Sequence, residues 1–222
     1  MRPMFLFVSG ESSGGVSLRS LFDGGPVTIA RSRLTLGDVA FLTRRGGRSK
    51  AVGQPREFAL QQAPDYVDAV VEFDISRVDG VRRDPERVCM LMRSYARMTA
   101  SEGSYETMLR DVAKSGLSFG RTSFLEYVTA FKRLFVADDL GAWNPNLRVK
   151  EDVRTSPTRH FVDPSIATAA LGAGPGDLMG DLNTFGLVFE SLCVSSQSEC
   201  DVKICVVFAS EASYDSSRMR GG

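Results

Sequence analysis

From Arg56 to Phe135 apolar residues recur every three or four positions, and the pattern is broken only where helix-stopping or helix-starting residues stand. That period fits helices packed on one another and does not fit strands, whose alternation is two. Phe58, Tyr66, Val67, Val70, Val71 and Ile75 set the first stripe over Arg56 to Val78, with Pro64 starting or kinking the main helix. Asp84 followed by Pro85 is a helix start, cap then first turn, and Val88, Leu91, Met92 and Tyr95 carry its stripe to about Ala100. These two helices are expected to pack together.

A third helix, Ser104 to Lys114, buries Leu109, Val112 and Ala113 and stops at Gly116, where a left-handed cap is easy. After a short link, Phe124, Leu125, Val128, Phe131, Leu134 and Phe135 make one apolar face of a fourth. Such a tightly joined pair is the sequence form of a helix-turn-helix. Phe135 to Trp143 and His160 to Asp163 read as strands either side of the polar segment from Asn144 to Thr158, and helix, turn, helix and hairpin together suggest a winged helix. Asp163 caps a short helix from Pro164 to Gly172. A longer one runs from about Asp181 to Val194 with Phe185, Val188, Phe189 and Leu192 inward.

The expected class is mainly α with a small β component: a helical region at 56–102, a winged-helix-like domain at 103–163 and C-terminal helices at 164–194. Residues 1–55 read as an irregular segment with one short helix near Leu36 to Leu42. The tail at 195–222 is atypical, and its closing Ser/Gly/Arg stretch is expected to be disordered. At 43% apolar residues the chain can bury a core, and no stretch has the length or hydropathy of a membrane span or a secretory signal. The expectation is a cytoplasmic protein with no membrane association.

Chemistry is sparsely supplied. No Gly-Lys dipeptide exists, so a phosphate-cradling P-loop is excluded, and no cofactor is expected. The four cysteines lack Cys-x-x-Cys spacing and His160 is the sole imidazole, which leaves few ligands for zinc. Asp201 to Lys203 matches the acid-x-Lys of magnesium-dependent nucleases locally, but a charged edge strand is the better reading. No catalytic, cofactor or metal residue is therefore assigned.

Charge is balanced overall, 27 basic against 27 acidic, yet Arg31 to Arg56 holds seven Arg or Lys against Asp38 alone. A winged helix would offer its second helix to a DNA groove through Arg121, Thr122, Thr129, Lys132 and Arg133, with Arg148, Lys150 and Arg154 on the wing. Glu126, Asp138, Asp139, Glu151 and Asp152 intervene and weaken the electrostatic attraction on which DNA affinity depends. The same residues serve a protein partner, and that packing role is preferred; a DNA-binding protein is the first alternative and a degraded gene product without function the second.

The run from Thr155 to Glu190 adds a resemblance. Arg159, Phe161, Asp163, Pro164 and Ser165, then Leu171, then Thr184, Gly186, Phe189 and Glu190 resemble the C-terminal region of bacterial AAA-superfamily ATP-binding proteins, the domain of unknown function 4143. The segment RPMFLFVSGESSGGVSLRSLFDG near the N-terminus is similar to the stretch directly after the ATPase core of those proteins. The resemblance implies the middle of such a protein, without its P-loop core, and a separate ATPase part as partner. It also implies a restriction-endonuclease-like end, from which the sequence departs after Val194, as a frameshifted or recombined tail would. Where those proteins carry a Gly-Gly-Trp-Pro-like turn, this chain reads Gly46, Gly47, Arg48 and Ser49.

Overall fold

The computed structural model describes residues 3–4, 6–12, 23–26, 32–141 and 156–197. Among these residues the chain is mainly α, with eight helices, one narrow antiparallel β pairing and a single parallel bridge between Thr99 and Arg159. Helix α1 is Leu36–Arg45, opened by a reciprocal cap in which Thr35 and Asp38 bind each other's backbone amides. It runs a turn beyond the expected Leu42, because Gly46, at φ +71°, is the first residue that can leave the helix. Helix α2, Arg56–Ala69, begins well before Pro64 and runs through it. A π turn at Val70–Asp74 and a last turn at Ile75–Arg77 continue it.

Helix α3, Pro85–Arg97, has the expected Asp84 cap, whose side chain accepts from the Glu86 amide at 3.0 Å. It ends before the expected Ala100. Ala100 sits at φ +56° and donates its N–H to the Arg159 carbonyl at 2.8 Å, so the chain leaves the helix to pair with the segment that carries Arg159. Helix α4, Tyr105–Lys114, is capped by Ser104 and stops before Gly116 at φ +83°. Its buried residues are Met108 and Val112; Ala113, expected inward, is exposed, because the helix buries only a narrow stripe.

Helix α5, Arg121–Arg133, buries Phe124, Val128, Ala130 and Phe131. Two members of its expected apolar face are exposed. Leu125 is rotated off the buried stripe, and Phe135 lies beyond the helix end at φ +54°, where the backbone turns its ring outward. The helix is held through rings: Phe119 packs edge-on to Phe124 and Tyr127, and Tyr105 packs edge-on to Phe124.

Residues 136–140 pair antiparallel with 158–162 in one register, joined by Asp138 N–H to His160 O, paired bonds between Leu140 and Thr158, and Val162 N–H to Val136 O, all 2.9–3.0 Å. This is the small β component. The intervening Trp143, Arg148, Lys150 and Arg154, and the tail from residue 198, lie outside the described residues.

Helix α6, Pro164–Leu171, has five of its eight residues buried and packs against α1, α2, α3 and α8. It is short because Asp163 caps one end and Gly172, left-handed at φ +71°, ends the other. Helix α7, Pro175–Gly180, is a turn and a half that the apolar periodicity does not announce; Leu178 is its one buried residue. Helix α8, Leu182–Gln197, starts at Asp181, whose carboxylate takes the Thr184 N–H and O–H at 3.1 and 2.6 Å. Its Phe185, Val188 and Leu192 are buried as expected, but Phe189 is 43% exposed, because the buried stripe passes through Ser191 and Leu192 instead.

Candidate interaction surfaces

Of the residues expected to meet DNA or a partner, Arg121, Thr122, Thr129 and Arg133 line one cleft of about 560 Å³, together with Leu125, Glu126, Asp79, Val81 and Arg83. The cleft is nearly neutralised from within. Arg83 clamps Asp79 through two nitrogens at 2.7 and 2.6 Å, and that pairing holds the Asp79 carboxyl down at about 2. Arg121 lies 3.0 Å from Glu106, and Arg133 stands in the field of Asp79. The Thr129 hydroxyl is spent on the Leu125 carbonyl at 2.7 Å.

Lys132 points elsewhere. Its ammonium lies 2.8 Å from Asp139, a carboxylate that also takes the Arg159 guanidinium at 2.6 Å and the Tyr95 hydroxyl. Arg159 further donates to the Gly103 carbonyl at 2.9 Å and lies over the Tyr105 ring. Burial disfavours the charge on Arg159, but Asp139 beside it more than offsets this and leaves the guanidinium harder to deprotonate than usual. Burial and then the Asp139 charge push the Tyr95 phenol above its ordinary value. The cluster ties α3 and α5 to the β pairing. Asp139, read from the sequence as an acid that weakens DNA binding, is its centre.

His160, expected at the start of a strand, lies within the β pairing, is 2% exposed and faces α8, with Nδ1 2.8 Å from the Ser191 hydroxyl. Burial holds its pKa below the usual imidazole value, so the neutral form is favoured. A Ser–His contact is the beginning of a hydrolase dyad, yet Ser191 is itself 1% exposed, so both groups of this pair are buried. Asp163 is likewise structural: its carboxylate takes the Ser165 and Gly47 amides at 2.9 and 3.0 Å, joining the end of α1 to the start of α6.

A second cleft, about 520 Å³, lies between residues 47–50, α2 and the end of α5, lined by Arg48, Lys50, Tyr66 and Phe135 among others. Arg48 lies over the Tyr66 ring, so a guanidinium covers an aromatic at the turn that follows α1.

The clearest departure from a closed surface is on α7 and α8. Met179, Leu182, Leu187 and Phe189 are 40–62% exposed. Leu182, Gly186, Phe189 and Cys193 recur at four, three and four positions, forming a stripe roughly a quarter-turn from the buried Phe185, Val188 and Leu192. Glu190 is the only charged residue in the sixteen of α8, the sequence signal that could have exposed the second stripe. Among the described residues no helix is long and apolar enough to cross a membrane, and no cluster of His, Cys, Asp or Glu is placed to hold a metal.

The family model Domain of unknown function (DUF8612) matches residues 38–177. No curated protein and no solved structure matches the chain.

Proposed function

The chain belongs to the family Domain of unknown function (DUF8612), and on that premise we propose that it is a non-catalytic packing module that binds a protein through the α7–α8 face. The observation that carries this is α8 itself: beside its buried flank it leaves Leu182 and Phe189 open to water, and an exposed apolar stripe on an anchored helix is the pattern of a docking face. The disposition of the reactive groups supports a role without catalysis, since the His160–Ser191 pair is sealed and Asp139 is committed to Tyr95, Lys132 and Arg159. The resemblance to AAA-superfamily ATP-binding proteins supplies one partner to test, a separate ATPase part.

The winged-helix reading rests on α4, α5 and the β pairing after them, with Arg121, Thr122, Thr129 and Arg133 gathered in one cleft. It is the weaker reading, because Asp79, Glu106 and Glu126 offset the cleft's arginines and counterion release is the main source of duplex affinity. A duplex titration at two salt concentrations decides it: we expect no salt-dependent affinity, and a steep slope would restore DNA as the ligand.

The packing role is tested with a single thiol at position 182, Leu182→Cys in a chain whose four native cysteines are Ser, which leaves Phe189 in place. Labelling in cells is compared with labelling of the dilute purified protein. A module that docks through α8 labels more slowly in cells, and equal rates refute the proposal.

A further inference from the structure

The second stripe of α8, exposed from Leu182 to Phe189 and half-buried at Cys193, is complementary to itself. Leu182, Gly186, Phe189 and Cys193 occupy alternating core positions of a heptad, d, a, d and a. Antiparallel helix pairs set an a position of one helix across from a d position of the other. A twofold axis between residues 187 and 188 would therefore pair Gly186 with Phe189 of a second copy, and Leu182 with Cys193. The largest side chain of the stripe then meets the residue with none. Nothing lies within 4 Å of where a Cβ of Gly186 would stand, so the notch is open, and Phe189 is 43% exposed and free to enter it. No like charges are forced together along this seam, since none of its four residues is ionised at neutral pH.

We propose that α8 is an isologous dimer interface: a second copy of this chain lies antiparallel on the Leu182–Cys193 stripe, with Phe189 of each copy seated over Gly186 of the other. The inference rests on the packing role proposed above and names its partner. An isologous contact needs one patch that fits itself under a twofold rotation, and this stripe does. A foreign helix would have no reason to find its bulk and its gap in mirrored register. The seam is short, about 16 Å at 1.5 Å per residue, below the span of a standard interface. The dimer is accordingly one that forms and dissociates over accessible concentrations.

Sedimentation of the full chain across a concentration series reads the equilibrium directly. Phe189→Asp is expected to leave a monomer at every concentration. Gly186→Leu separates an interface from a merely exposed helix, because leucine is the better helix former and does not weaken the monomer, yet it fills the notch and should weaken association at least tenfold. The exchange Gly186→Phe with Phe189→Gly moves bulk and gap across the axis together and should recover much of the association that Gly186→Phe alone loses. Far-UV circular dichroism confirms that each variant is folded.

A wild-type chain that stays monomeric throughout overturns the dimer. If position 182 is nevertheless slow to label in cells, the packing role stands and the partner is another protein; if it labels equally fast, both fail. Slow labelling already present in the dilute monomer, and lost on removing residues 198–222, also overturns the dimer by making the chain's own tail the occupant. Association that neither Phe189→Asp nor Gly186→Leu weakens places the contact elsewhere and overturns it too.

Discussion

Removing the Asp139 carboxylate, by Asp139→Ala, is the perturbation whose size the structure fixes best. Arg159 and Asp139 have side chains only 4% and 5% exposed, so deleting the acid strands a buried guanidinium. Breaking one side of such a pair costs about 3–5 kcal/mol. Arg159 keeps its bond to the Gly103 carbonyl and the Tyr105 ring, which places the loss at the lower end. The Tyr95 hydroxyl also loses its acceptor, worth about 1 kcal/mol. Lys132 adds little, since its side chain is 42% exposed and solvent screens it. Shared partners are not additive, so the net expectation is about 4 kcal/mol, a large part of a domain's stability.

Urea unfolding followed by circular dichroism reads this as a midpoint lower by about 2 M, for a slope of about 2 kcal/mol per molar. Lys132→Met should move the midpoint by less than a quarter of that. Replacing both ions, Asp139→Leu with Arg159→Met, should cost less than Asp139→Ala alone, because no charge is left buried. An Asp139→Ala loss below about 1 kcal/mol, or one equal to that of Lys132→Met, would refute the view that a buried pair organises the cluster.

Gly46→Ala introduces a Cβ at φ +71° and drives it into the Asp163 and Ser165 side chains, which cannot yield because Asp163 holds two amides. Strain and overpacking together predict a loss of about 2–4 kcal/mol, read as a thermal midpoint lower by roughly 5–15 °C. His160 is kept neutral by burial, so the unfolded chain binds the extra proton first. Stability is then full above the unfolded imidazole pKa near 6.5 and falls as the pH drops below it, by up to about 1.4 kcal/mol per pH unit. Urea midpoints between pH 5 and 8 should show this slope in the wild type and lose it in His160→Gln. Phe135 is 61% exposed and sits at φ +54°, so Phe135→Gly should be neutral or raise the thermal midpoint, whereas Phe135→Ala keeps the strained backbone and gains nothing. A glycine variant less stable than the alanine one would show that the ring itself is packed.

Helix starts were legible because caps are local. Asp84 with Pro85, Ser104, and Asp163 with Pro164 each satisfy an amide two or three residues on, and the structure uses all three. The paired strands were legible only in outline, as two short stretches either side of a polar insert; the pairing itself takes in Thr158 and Arg159, which the expected second strand, starting at His160, left out. What a helix packs against is a different matter, because it depends on residues far away in sequence. Eight residues from Pro164 to Leu171 look like a minor connector, yet they touch four other helices, since Ala167, Ala169 and Ala170 let their backbones approach. Asp139 reads as one more surface acid until the β pairing sets it beside Arg159, twenty positions away. Of the candidate contact residues, the four that line the cleft share a face because helical spacing fixes it. Lys132 left that group for Asp139, a partner outside its helix.

Helix α8 shows how one segment can be anchored and still available. Phe185, Val188 and Leu192 enter the core, and Ser191 reaches His160, so the helix is fixed by side chains on one flank. Leu182, Gly186 and Phe189 take no part in that anchoring. Substitutions on the first flank should therefore lower the unfolding midpoint, Val188→Ala by about 2 kcal/mol for a filled site made smaller, and weaken association only as far as the helix detaches. Substitutions on the second should change association at unchanged unfolding midpoint in the monomer. If Phe189→Asp lowered the monomer's stability as much as Val188→Ala does, the two flanks would be one, and the exposed stripe would be part of the core rather than a surface for a partner.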